Sequence, residues 1–507
     1  MKRSSKIAVS LLVFIGILAV ALLILNNFLE GKIKKSLEEK LTRANTSFEK
    51  VDVKLLDRSA EVIDAHVELR NKNFKVDTIV LNDIGIWKYL TTKNIVVGEL
   101  QISNPVVKIT QNKSESKDPG KDKSSGGLQE QILIKKVRVN GGSFQMFEND
   151  TASAMLFASL QKLQLNEVRI DSASLKEKVP FEYQLKHLEV DSLYFDLSEQ
   201  QELVLEQLLV RDLDLQINGF KVLPKYSKAG HQQTIEVEKD WYDLVIDSIS
   251  MQDFGWSVQN DSLKFENSLT HINGVNFEVY RNKLKPDDTT FKPLYSRAIR
   301  KLPFLINIDS IEISDAYIKY EERIQADRPP GMVEFANLNV SVQNITNMGL
   351  GRDDFPKTRV TANTDFMKGA PLSIDWQFDI SDRNDAFQLS GQMGRLQASQ
   401  MNKFTEAGLN LHISGDILEM YFNFYGDNTS AKGDMKLEYN DFKVEVLQKD
   451  GENKNKVISA LANLIVRNKA VKGEQSYKEI KAQRDQTKSF WNYFWLMIKN
   501  GAFKSFI

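Results

Sequence analysis

Residues 306–313 read Ile306-Asn307-Ile308-Asp309-Ser310-Ile311-Glu312-Ile313. Two apolar residues alternate with polar ones, a polar pair interrupts, and two more apolar residues follow in shifted phase. Alternation at period two gives a strand one apolar face and one wet face. Ile246-Asp247-Ser248-Ile249 is a near copy, and Val190-Asp191-Ser192-Leu193 is a weaker one. Met435, Leu437 and Tyr439 precede Asn440-Asp441, and Phe442, Val444 and Val446 follow. A phase shift across two residues predicts a bulge, bend or tight turn that keeps the apolar side facing one way. The copies are irregularly spaced, which excludes a fixed-period solenoid.

Working outward, the same period begins just beyond Phe48. Val51, Val53 and Leu55 alternate with polar residues, as do Ile63, Ala65, Val67 and Leu69. The body is therefore read as mainly β, an antiparallel sheet half buried and half solvated. Lys113 to Gly127 (KSESKDPGKDKSSGG) has no apolar residue and reads as a surface loop between strands. Lys283 to Pro303 is a second interruption, with a short helix expected from Leu294 to Leu302 and ended by Pro303.

The N-terminus has a different grammar. Ile7 to Leu25 carries no charge, and only Ser10 and Gly16 interrupt it. As a helix it spans roughly 28 Å, close to the hydrocarbon thickness of a bilayer. Lys2, Arg3 and Lys6 precede it, and no small-x-small cleavage site follows, so an uncleaved anchor is expected. Ile33, Leu37 and Leu41 then recur every four residues, an amphipathic stalk. The expected organisation is a cytoplasmic tail (1–6), a single transmembrane helix (7–25), the stalk (26–47), a β-rich body outside the cytoplasm (48–450), and a C-terminal helical and aromatic segment (451–507).

That last segment leaves the β pattern. Val457 to Val466 is one apolar run, a short helix or a buried strand. Phe490 to Ile507 (FWNYFWLMIKNGAFKSFI) combines aromatic rings with Lys499 and Lys504, behind Lys488. Two readings stand. Phe490, Trp491, Tyr493, Phe494 and Trp495 are membrane-interface candidates, since such rings suit headgroup depth. Alternatively, the segment is a helix capping the β body.

Composition narrows the function. The chain has 507 residues, 42% hydrophobic and 27% charged, with formal net charge −1. Its length implies several domains or one extended sheet system. The charge balance gives no footprint for nucleic acid. There is no cysteine, which excludes disulfides, thiolate metal sites and a cysteine nucleophile. The five histidines (His66, His187, His231, His271, His412) are scattered and form no metal motif. No Gly-x-Ser-x-Gly elbow, His-Glu-x-x-His helix or Gly-rich phosphate loop occurs. The acid pairs Asp287-Asp288, Glu321-Glu322 and Asp353-Asp354 are adjacent, so within a strand their members point to opposite faces. Trp241, Trp256 and Trp376 are read as packing residues. The expectation is no enzyme, no cofactor and no metal.

Several stretches, in order along the chain, resemble the AsmA-like family of bacterial envelope proteins, in particular its shorter Bacteroidetes-type members. The first is Gly98-Glu99-Leu100-Gln101-Ile102-Ser103-Asn104-Pro105-Val106-Val107-Lys108-Ile109, similar to the family's "G-x-L-x-I-x-x-P-x-V-x-I" strand pair. Then come Leu302-Pro303-Phe304 with Ile308-Asp309-Ser310-Ile311 and Tyr320-Glu321-Glu322, and next Asn344-Ile345-Thr346-Asn347. Gly391, Gly415 and Gly433 lead to Tyr439-Asn440-Asp441-Phe442, and the last stretch is Lys488-Ser489-Phe490-Trp491-Asn492-Tyr493.

The resemblance implies an elongated, curved β-groove with an apolar inner face, held at the inner membrane with its bulk in the periplasm. It implies partners among membrane lipids and envelope proteins, and a role in envelope biogenesis and phospholipid movement. An acyl chain in water costs about 0.8 kcal/mol per exposed CH₂, so it needs an apolar shelter and no catalytic group. On this reading the lipid-contact candidates are Ile306, Ile308, Ile311, Ile313, Phe422, Phe424, Met435, Leu437, Phe442 and Val444. The alternative is a non-catalytic scaffold or assembly factor in which these residues fill a closed β core.

Overall fold

The computed structural model describes residues 46–54, 56–69, 71–110, 131–149, 153–174, 181–259, 262–447 and 478–506. The expected anchor (7–25), most of the stalk, the loop 113–127 and the apolar run 457–466 lie outside the described residues. Among the described residues, no helix is long and apolar enough to cross a membrane. The protein is mainly β, in two compact units.

The first unit comprises Met1–Ser198, Glu202–Gly219 and Val258–Asp261. Its strands are β1 (Thr46–Ser47), β2 (Lys50–Lys54), β3 (Ser59–Leu69), β4 (Lys72–Ile84), β5 (Ile95–Ser103), β6 (Val106–Thr110), β7 (Ile132–Asn140), β8 (Ser143–Phe147), β9 (Ala154–Ile170), β10 (Glu182–Phe195), β11 (Gln201–Leu205), β12 (Gln207–Arg211) and the start of β13 (Asp214–Pro224). Helix α1 (Ile86–Thr92) links β4 to β5. β5 and β6 lie end to end along β4, broken at Asn104-Pro105. β7 and β8 lie end to end along β9, broken at Gly141-Gly142. The two breaks are stacked: the Asn104 amide donates to the Asn140 carbonyl at 2.8 Å. At Gly141 (φ 66°) a Cβ would lie 2.2 Å from Asn104 Oδ1, so only glycine fits there.

The expected phase shift at polar pairs is a general device here. Leu81 and Ile84, Val97 and Leu100, Ile134 and Val137, and Leu165 and Val168 sit three apart on four neighbouring strands, all in one buried core. Three residues of regular strand would put the two members of a pair on opposite faces. Left-handed Asp83 (φ 55°) and Glu167 (φ 50°), inside two of the pairs, absorb the extra residue.

The second unit comprises Glu199–Gln201, Phe220–Ser257 and Ser262–Ile507. Its strands are β14 (Trp241–Gln252), β15 (Gly255–Gln259), β16 (Ser262–Asn282), β17 (Leu305–Arg323), β18 (Gly331–Thr346), β19 (Thr358–Phe366), β20 (Ala370–Phe378), β21 (Phe387–Met393), β22 (Leu396–Gln397), β23 (Leu411–Gly426), β24 (Ser430–Val446) and β25 (Lys478–Gln483). The helices are α2 (Lys228–Thr234), α3 (Tyr295–Arg300), α4 (Asn402–Leu409) and α5 (Phe490–Phe506), with a 3-10 turn at Ala398–Met401. The pairing runs β14–β16–β17–β18–β19–β20–β21–β23–β24–β25.

Among the described residues, three strand pairs depart from the expected antiparallel pattern. β5/β7, β6/β8 and β16/β17 are parallel. Parallel neighbours need a long crossover. Residues 283–304, with α3 inside them, supply it between β16 and β17.

Candidate functional site

Directly opposed residues in neighbouring strands point to the same side of a sheet. Starting from Ile311 and Ile313 on β17, the partners on β18 are Val342 and Val340, and those on β19 are Val360 and Ala362. Next come Trp376 and Ile374 on β20, then Leu389 and Gly391 on β21, then Phe424 and Phe422 on β23. In the other direction the partners are Thr270 and Ile272 on β16, and Met251 and Ile249 on β14. One face of the unit is thus an almost unbroken apolar row.

The opposite face is wet. Thr361, Asp375, Ser390, Asn423 and Asp434 are successive cross-strand partners on β19 to β24. A shallow cavity of about 470 Å³ on that side is lined mostly by these polar side chains and their neighbours.

A kink row keeps the apolar face continuous along the strands. Ile246 and Ile249, Ile272 and Val275, and Ile313 and Ala316 flank Asp247-Ser248, Asn273-Gly274 and Ser314-Asp315. Gly274 (φ 69°), Asp315 (φ 54°) and Asn337 (φ 49°) are left-handed. Ile313 and Ala316 face Val340 and Leu338, two apart on β18, and so lie on one side. The Ser314 hydroxyl donates to Asn273 Oδ1 at 2.9 Å across the row.

β17 shifts phase twice, at Asp309-Ser310 as the sequence suggested and again at Ser314-Asp315. Its pairings with β16 and β18 skip Asp309, which lies opposite left-handed Asn344 (φ 61°). Asn267 and Thr270, the β16 partners of Ile308 and Ile311, sit three apart yet join side chain to side chain at 2.8 Å, so Ile306, Ile308, Ile311 and Ile313 face one way. Ile306 is buried (8% exposed), and its cross-strand partner Phe265 meets Phe304 edge-on at 5.7 Å. Asn347 pins that end by donating to the Phe304 carbonyl at 2.8 Å and accepting from the Ile306 amide at 2.9 Å.

The row has two regimes. At its β20–β25 end it is closed by α5. Ser489 caps this helix, accepting from the Asn492 amide at 3.4 Å. Phe490, Tyr493, Met497 and Gly501 form its buried stripe. Phe490 stacks on Trp376 at 4.5 Å and 8°, and Tyr295 meets both rings edge-on. Phe422, Phe424 and Met435 lie in this core at 3%, 0% and 1% exposure. Tyr493 is 2% exposed, and burial pushes its hydroxyl pKa up. Phe442 is buried with Ile413 and Ala398, against Val444; Leu437, opposite Met420, lies on the same side.

Of the interface candidates, Phe490 and Tyr493 thus fill protein core. Phe494 packs against it, Trp495 meets Phe404 edge-on at 5.0 Å, and Trp491 stays 57% exposed.

Beyond Val360 the row changes character. Ile272, Ile311, Ile313, Val340, Val342 and Ala362 are half-buried and belong to none of the unit's buried clusters. Four of these six were not singled out in the sequence. Each alternates correctly in its own strand, but only the register joins them.

The charged groups pair across strands. Lys228 lies over the rings of Trp241 and Tyr280 at 5.1 and 5.6 Å, and pairs with Glu321 and Glu278. Asp243 stands directly opposite Glu278; burial first, and then that like charge, raise its carboxyl pKa. Glu322 instead pairs with Lys283 at 3.2 Å. Among the described residues, no three His, Asp or Glu side chains are grouped to hold a metal ion. No family model matches the chain, and no curated protein matches it.

Proposed function

We propose that the chain is a membrane-anchored envelope protein that binds or transfers lipid, most simply phospholipid, along an apolar β-groove. In this reading residues 7–25 hold it in the inner membrane, the body lies in the periplasm, and the curved sheet shelters acyl chains. One observation carries the reading: past its capped end the apolar row continues across β19, β18, β17 and β16 with half-buried side chains, Thr270 being its one polar member there. A groove that takes acyl chains needs a continuous apolar lining, and the cross-strand row supports one. The resemblance to the AsmA-like family supports the envelope setting. No step of such a function needs a catalytic group.

A scaffold role with a closed core is the second reading. The observation favouring it is α5, which closes the other half of the same face with stacked aromatic rings.

Native mass spectrometry of the full chain, purified from membranes without added lipid and followed by lipid extraction, separates the two. Co-purifying phospholipid that is lost in Ile311→Asp/Ile313→Asp is the expected result. A folded, lipid-free wild type would support the scaffold.

A further inference from the structure

The geometry points to a second lipid contact, at one end of the first unit: a basic, apolar tip that inserts shallowly into the surface of an anionic bilayer. The three most exposed of the large hydrophobic residues described lie at that end. Leu56, in the β2–β3 turn, is 100% exposed; Trp87 and Leu90, on α1, are 78% and 59% exposed. The turn and the helix are tied together. The Ile84 amide donates to the Arg58 carbonyl at 2.9 Å, and Arg58 pairs with Asp83 at 2.6 Å. α1 starts at once after Gly85, whose amide donates to the Val96 carbonyl at 2.8 Å.

The helix is sided. Ile86 and Tyr89 pack on the unit's core, so Trp87 and Leu90 point away from it. Single exposed apolar residues are ordinary, but three at one end of a unit mark an interaction surface. The surrounding charge selects the partner. Lys54, Lys88 and Lys93 are exposed, α1 contains no acid, and Asp83 is taken by Arg58. Asp57 is the remaining exposed acid of the turn. Indole and leucyl groups at acyl depth with ammonium groups at phosphate depth is the arrangement of an interfacial anchor. The tip also lies at the far end of β3 from Thr46, which pairs with Val67. The separation along the strand is roughly 27 Å. The tip therefore contacts lipid well away from the point where the N-terminal segment joins the unit.

This assignment stands apart from the lipid-binding reading of the second unit and can fail without it. Because the chain has no cysteine, Leu56→Cys, Leu90→Cys and, at the opposite hairpin, Asn71→Cys each give one spin-label site in the full protein. Reconstituted with phosphatidylglycerol-containing vesicles, labels at 56 and 90 should collide with lipid-dissolved oxygen in preference to an aqueous nickel chelate. The label at 71 should do the reverse. Adding Lys88→Glu/Lys93→Glu should lower the oxygen-to-nickel ratio at 56 and 90 several-fold. Labels at 56 and 90 that stay open to nickel would overturn the proposal. So would labels shielded from both probes, which would mean a protein cover, from a second copy or residues 1–45. Equal insertion into neutral phosphatidylcholine vesicles would overturn the anionic assignment.

Discussion

The Trp376 indole and the Phe490 ring stack at 4.5 Å with planes 8° apart, joining the middle of the second unit's sheet to the first turn of its last helix. The indole Nε1 is buried with no hydrogen-bond partner, so the contact rests on apolar packing. Phe490→Ala should therefore destabilise the protein by about 3–5 kcal/mol, the range for emptying a buried aromatic site. Denaturant unfolding of the variant measures it. Trp491→Ala, at an exposed neighbour, should change stability by less than about 1 kcal/mol.

The kink row should tolerate no Cβ at Gly274. An added methyl there would lie 2.1 Å from Asp247 Oδ2, on a backbone already at φ 69°. Gly274→Ala should cost upward of about 1 kcal/mol, and Asp315→Val should be destabilising for the same conformational reason. Asp315→Gly should be nearly neutral. Thermal melts of the three variants test the row as a built feature.

Asp243 should make the protein more stable when neutralised. Its folded-state carboxyl pKa is raised, by burial first and then by the Glu278 charge. The folded state then holds the proton more tightly than the unfolded chain does. The penalty is present above the folded pKa and disappears below the unfolded value, about 3.9. Asp243→Asn should raise the melting temperature at pH 7, with the gain shrinking as the pH falls toward 4. A gain that grows on acidification would contradict the assignment.

Much of this was legible in the sequence. Period-two alternation gave the β character, the polar pairs announced a phase-shifting device, and the short helix expected from Leu294 to Leu302 is seen at Tyr295–Arg300. The polar pair Asp309-Ser310 marked a real shift on β17, opposite left-handed Asn344; the second shift on that strand, at Ser314-Asp315, was not singled out. Alternation runs along one strand, whereas register joins strands. The candidate site was therefore legible only in pieces: Ile311 and Val342 are neighbours through pairing, and no local pattern links them. The closure of the C-terminal half was one of two open readings, since an aromatic helix that caps a sheet and one that lies in a bilayer interface carry the same residues.

A charge on the apolar row should separate its two faces functionally. Ile311→Asp/Ile313→Asp should lower bound lipid at least ten-fold. Gln343→Asp, exposed on the opposite face of β18, should leave it unchanged. Lipid extraction from equal amounts of folded protein makes the comparison, with circular dichroism confirming the fold.

The most direct measurement is photo-crosslinking in intact cells, with a benzophenone side chain at Ile313 in one variant and at Gln343 in another. The account expects a lipid adduct at 313 and none at 343, since the two positions share one sheet but face opposite ways. No adduct at 313, or equal adducts at both, would contradict the claim that this face shelters lipid.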